Sequence, residues 1–194
     1  MALRRGFKTE ANQISRDMRR ELKLVSEAPL NPWELANHLC IPVITMSEMR
    51  ETAPKAVTYF STKNTSEFSA MTVFEGNYRI IVHNDAHSPG RQSNDVSHEI
   101  SHGLLFHPPQ QALDANGCRN WNNDFEDEAN YLSAALLVSE EAALYIARNK
   151  IPVTDAAIHY GVSEQVIKWR LSITGAYTRV SRTRSFYSNL KRKS

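Results

Sequence analysis

The sequence predicts an α+β fold in which a small antiparallel or mixed sheet packs on a central helix, with further helices around it and a helical C-terminal part. Three observations carry this reading. Apolar residues recur at helical spacing near both ends of the chain and again around residues 96–104 and 129–137. Residues 68–74 and 78–84 run or alternate with β-branched and aromatic side chains on either side of Glu75-Gly76-Asn77. Residues 155–171 carry the spacing of two short helices around a turn glycine.

Taken in order, residues 8–23 read as an amphipathic helix. A shorter one is expected over 32–38, with Asn31 as its cap and Pro32 at its first position, where the missing N–H leaves no bond unmade. Residues 41–44 and 55–60 read as strands, 61–67 as a polar loop, and 68–74 and 78–84 as a hairpin turned by Glu75-Gly76-Asn77. The result is an antiparallel sheet beside the next helix. An edge strand there offers main-chain hydrogen bonds to an extended peptide. Ser93, Asn94 and Asp95 favour cap positions and precede Val96, Ile100, Gly103 and Leu104 at helical spacing. Pro108-Pro109 ends that helix at or before His107, which reads as a cap on its C-terminus.

Within this helix lies His98-Glu99-Ile100-Ser101-His102. Histidines four apart stand one turn apart on one face, so both imidazoles can reach a single ion, and the glutamate between them is placed to take a proton from the attacking water. A catalytic zinc site needs a third protein ligand and an open fourth position. The extension His-x-x-Gly-x-x-His is closed, because Leu105 and Pro108 occupy those places. A carboxylate from a second helix is the other solution, and residues 124–130 form the densest acidic run in the chain, leading into Ala134, Ala135, Leu136 and Leu137. Glu126 shares a face with Asn130, whereas Glu128 is turned away by about 200°. Glu126 is therefore the expected ligand and Asn130 the expected partner of a ligand imidazole N–H. Asp127 is expected in solvent. The chemistry implied is zinc-assisted peptide hydrolysis, with Glu99 as the catalytic base and His98, His102 and Glu126 as metal ligands. Tyr131, His107, His159 and Tyr160 stay open as donors to the oxyanion.

These residues resemble the ImmA/IrrE-type zinc metallopeptidases, in which His-Glu-x-x-His is followed by a helix of the form Glu-x-x-Ala-Asn and a Leu-Leu end. Here that helix carries Glu126-Asp127-Glu128-Ala129-Asn130 and Leu136-Leu137. Arg5-Gly6-Phe7-Lys8, Pro29-Leu30-Asn31-Pro32-Trp33, Ile80-Ile81-Val82-His83-Asn84 and Gly161-Val162-Ser163 extend the likeness over residues 5–175. Ile100-Ser101 stands where many relatives have Leu-Gly, Leu132-Ser133 where they have Phe-Ala, and Val138-Ser139 where they have Met-Pro. No ligand or base is lost. The resemblance implies a zincin-like fold, one zinc ion, and cleavage of a specific protein, often a helix-turn-helix repressor or antitoxin.

Composition sets further bounds. The chain of 194 residues is 41% hydrophobic, enough for one compact catalytic domain, expected over residues 1–150, with a helical segment at 151–175 and a basic, flexible end at 176–194. No apolar run approaches the roughly 18 residues of a membrane span, and the N-terminus lacks a signal-peptide core, so a cytoplasmic location is expected, with Cys40 and Cys118 as free thiols. Net charge is only +2, but residues after Ala176 carry six Lys and Arg and no acid. In the helix pair at 155–171, Lys168 and Arg170 are placed to meet nucleic-acid phosphates, Glu164 opposes them, and Trp169 reads as core. Packing on the catalytic domain is the reading preferred to DNA contact. The rival function is a non-catalytic, zinc-containing regulator that binds a repressor or DNA through this segment; against it, no Cys pair with structural-zinc spacing exists.

Overall fold

A computed structural model describes residues 3–62, 67–76, 78–108 and 122–191. Its axis is a helix whose residues 131–137 are all buried. A helix apolar on every side must be covered on every side, and here three neighbours do so. The central helix is α5 (Asn123–Leu137), and α1 (Phe7–Glu21), α4 (Pro89–Leu104) and α8 (Glu164–Ile173) pack against it. Helix α1 turns Phe7, Ala11, Ser15 and Met18 inward at helical spacing. Its buried Arg19 donates to the Leu136 carbonyl at 2.8 Å and to the Ala28 carbonyl at 3.3 Å, while Ser15 Oγ donates to the Ala135 carbonyl at 2.6 Å. These donors satisfy carbonyls that the end of α5 leaves without intrahelical partners.

The remaining elements follow chain order. Helix α2 (Pro32–His38) starts as expected, with the Asn31 side chain accepting from the Trp33 N–H. Strand β1 (Val43–Thr45) leads into a short 3-10 helix, Met46–Arg50, and then α3 (Pro54–Thr62). Strands β2 (Ala70–Glu75) and β3 (Tyr78–His83) form an antiparallel hairpin in which Phe74 faces Arg79 and Ala70 faces His83. Asn77 of the expected turn lies outside the described residues. Strand β1 pairs parallel to β3, Val43 opposite Ile81, so the order is β1-β3-β2 and the sheet is mixed rather than antiparallel. The long helical connection between β1 and β2 permits this crossover, which a short turn would not.

Two elements differ further from expectation. Residues 55–60 are not a strand but the body of α3, although Val57, Thr58, Tyr59 and Phe60 favour extended backbone. Pro54 suits a first helical turn, and Ala53, Ala56, Val57 and Phe60 recur at helical spacing along the wall of one cleft, so packing overrides propensity. Helix α4 begins at Pro89 after Ser88, well before residues 93–95, because proline at the first position fixes a helical φ. Asn94 and Asp95 are helical residues, not caps.

A second core gathers behind α5. Helices α6 (Glu140–Asn149), α7 (Val153–Tyr160), α8 and α9 (Ala176–Lys191) bury Ala142, Ile146, Ala157, Ile167, Leu171 and Val180 together. Ser139 and Ser163 cap α6 and α8, and Gly161, at φ 61°, closes α7 in a left-handed conformation. Within the basic end, residues 176–191 form α9, whose Ala176 and Val180 are buried in this core. Arg170 is also buried and donates to the Val138 carbonyl at 2.8 Å, so it does not present a charge to a nucleic acid; Lys168 pairs with Glu164 on the same helix at 2.8 Å. Cys40 is exposed and unbridged, and Cys118 lies outside the described residues. Among the described residues no helix is long and apolar enough to cross a membrane.

Candidate metal centre

Helices α4 and α5 approach closely because the residues between them are small. Ser97 and Ser101 of α4 are buried, Ser97 Oγ donates to the Ser133 carbonyl of α5 at 3.2 Å, and Ser101 Oγ donates to the Ser97 carbonyl at 2.7 Å. Ser101 and Ser133 thus stand where a bulky side chain would hold the helices apart. Val96 and Ile100 are buried on the stripe beside them, which leaves His98, Glu99 and His102 toward an open cleft of about 990 Å³.

His98 Nε2 lies 3.0 Å from His102 Nε2 and 3.2 Å from Glu126 Oε2, and His102 Nε2 lies 3.5 Å from Glu126 Oε1. Three donors bonded at zinc distances around one tetrahedral centre stand about 3.3 Å apart. These three groups, with two imidazole nitrogens and one carboxylate, could hold a metal ion, and their ligand atoms all lie within 4.8 Å of one another. Burial pushes the Glu126 carboxyl up, but hydrogen bonds and charge from His102 and His98 more than offset it and bring it to about 2. For His98, desolvation opposes the charged ring, yet Glu126, the Glu99 charge and a hydrogen bond to Asn130 raise its pKa overall. Asn130 lines the same cleft as His98 and Glu126.

Glu99 projects into the same cleft and accepts a hydrogen bond of 2.6 Å from Thr72 Oγ1 on β2. The structure adds residues that sequence reasoning passed over. Arg79 of β3 lies against Gly103, where a Cβ would fall 2.1 Å from its Nη1. Met46, Met49, Val57, Phe60 and Phe68 make the far wall apolar. The C-cap of α4 is Leu105 rather than His107, whose ring lies in the cleft: its Nδ1 is 2.9 Å from His102 Nδ1, and its Nε2 is 3.4 Å from Glu128 Oε2. Glu128 is buried and faces His107 and Arg4 rather than the three donors. Of the side chains left open as oxyanion donors, only His107 lines the cleft among the described residues. Tyr131 packs between Phe7 and Trp169, and Tyr160 donates to the Glu27 carbonyl at 2.8 Å.

A family model described as Peptidase M78, IrrE N-terminal-like domain, matches residues 36–172, well over half of the chain. The chain belongs to this metallopeptidase family. No curated protein matches it.

Proposed function

We propose that the protein is a zinc-dependent endopeptidase of zincin-like fold, in which His98, His102 and Glu126 hold the ion and Glu99 is the catalytic base. The observation that carries this reading is the convergence of those three donors at near-tetrahedral separations beside a glutamate that faces the same cleft. His98, His102 and Glu126 would hold the zinc ion, which would supply Lewis acidity toward a scissile carbonyl and water. Glu99 removes a proton from the attacking water and delivers it to the leaving amine, while Thr72 holds the carboxylate in place. Asn130 orients His98. Strand β2 is an edge of the sheet, it carries Thr72, and it offers its unpaired main-chain groups to an extended substrate segment. Arg79 supplies donors along the same wall.

The substrate class is a specific protein, a helix-turn-helix repressor or antitoxin, with α7 and α8 packed on the catalytic part rather than reading DNA. Burial of Arg170 supports the packing of α8 over DNA reading. The test is incubation of the zinc-loaded protein with the small helix-turn-helix protein from the neighbouring reading frame, alongside Glu99→Gln. The variant is expected to keep one zinc and its fold and to lose cleavage by at least about a thousandfold. Equal cleavage by the variant would sink the assignment, and a zinc-bound protein that binds the repressor without cutting it would establish the regulator reading instead.

A further inference from the structure

We infer that His107, Glu128 and Arg4 form a positioning assembly for His102, an inference that rests on the metal-site reading above. With an ion held among His98, His102 and Glu126, the His102 Nε2 turned toward it would offer its lone pair, and the proton of the neutral ring would sit on Nδ1. That N–H needs an acceptor, and the atom 2.9 Å away is His107 Nδ1. His107 can accept there only if its own proton is on Nε2, which faces Glu128 Oε2 at 3.4 Å. The second oxygen of Glu128 receives Arg4 Nε at 2.9 Å. The donors therefore run in one direction. His102 donates to His107, His107 donates to Glu128, and Arg4 donates to Glu128 from the other side, so each ring has one permitted tautomer.

The backbone and the packing hold the His107 ring in that plane. Helix α4 ends with the Phe106 N–H on the Gly103 carbonyl at 3.2 Å and the His107 N–H on the His102 carbonyl at 3.0 Å, which folds the chain back over its last turn. Phe106 occupies the left-handed position at φ 54°, a place where glycine is usual. The His107 ring then stacks on Phe125 of α5 at a centroid distance of 4.5 Å and 20° between planes. Partners of this kind behind a ligand histidine fix its orientation and raise its basicity, and their loss lowers metal affinity about 10- to 100-fold. The assembly also ties the N-terminal Arg4, distant in sequence, to the candidate metal centre.

The experiment is a zinc competition titration against a chromophoric chelator on the full chain, with His107→Leu, His107→Gln and Glu128→Gln beside the parent. Histidine-selective nitrogen NMR of the zinc-loaded proteins reads the His102 tautomer. A leucine side chain keeps apolar contact with Phe125 and removes the acceptor, so His107→Leu is expected to weaken zinc binding about 10- to 100-fold while the melting temperature in chelator stays near that of the parent. His107→Gln restores an acceptor and is expected to recover part of the loss, and Glu128→Gln to lose several-fold, which keeps the test available if one variant does not fold. Unchanged zinc affinity and an unchanged His102 tautomer in His107→Leu would overturn the positioning role while leaving the peptidase reading intact. A parent protein that takes up no zinc would overturn both.

Discussion

Thr72 on the edge strand donates a 2.6 Å hydrogen bond to Oε2 of Glu99 on the helix opposite. One hydroxyl thereby couples the strand expected to receive substrate to the group expected to move the proton. Thr72→Val keeps the shape and removes the donor. The expected outcome is a fall in kcat of about tenfold with little change in melting temperature, and near-parent kinetics in Thr72→Ser, checked by steady-state cleavage assays.

Gly103 and Arg79 make a second testable pair. A methyl at position 103 would fall 2.1 Å from Arg79 Nη1, the far end of a flexible side chain, so the guanidinium is displaced while the helix stays. Alanine in place of glycine favours the helix by up to about 1 kcal/mol. Gly103→Ala is therefore expected to fold at least as stably as the parent and to raise KM. Arg79→Ala should raise KM by a similar factor, and the double variant should add little, because both changes remove the same group from the cleft. A full additive effect in that cycle would show that the two act separately.

The two cations of α8 should behave oppositely. Arg170 is buried and holds the Val138 carbonyl, so Arg170→Ala is expected to destabilise the protein by about 3 kcal/mol in urea unfolding. Lys168 is exposed beside Glu164, and Lys168→Ala should change stability by no more than about 0.5 kcal/mol. A helix built to read DNA would show little effect on unfolding from either change and a large one on DNA retention.

His83 provides a pH dependence away from the metal centre. It is buried at the end of β3, its ring packs edge-on against Trp33 at 5.8 Å, and its Nδ1 has no hydrogen-bond partner among the described residues. Burial pushes its pKa below 6.5, and the charges of Asp85, Asp95 and Glu48 offset this only in part. A depressed folded-state pKa means that the contribution is fully present above the unfolded value of 6.5 and is lost as pH falls through the folded one. In chelator, the parent should lose melting temperature between about pH 7 and pH 5 more steeply than His83→Phe. Parallel curves for the two proteins would rule out His83 as the source.

The sequence made the helices legible where period and punctuation agreed. Asn31-Pro32 announced α2 with its cap and first residue, and the apolar positions 96, 100 and 104 announced α4 even though its start at Pro89 lay earlier. A spacing of four residues put His98 and His102 on one face of α4, since helical geometry is local, whereas the meeting with Glu126 of α5 depends on how the two helices pack. Contacts set by tertiary packing were out of reach. Val57 to Phe60 have strand-forming side chains, and only the cleft they line makes them helical. Glu128 was turned away from Glu126, as the 3.6-residue period requires, but nothing local showed that Arg4 and His107 await it there. The parallel pairing of β1 with β3 depends on a crossover that no single strand records.

The family-model match begins at residue 36, yet the Arg19 guanidinium closes the last turn of the central helix from a segment that lies before it. The matched span is thus narrower than the packed core. Trimming the chain to 36–172 would strip Phe7, Ala11 and Met18 from the hydrophobic seam and strand the carbonyls of Ala135 and Leu136, so the first helix is a keystone of the folded body.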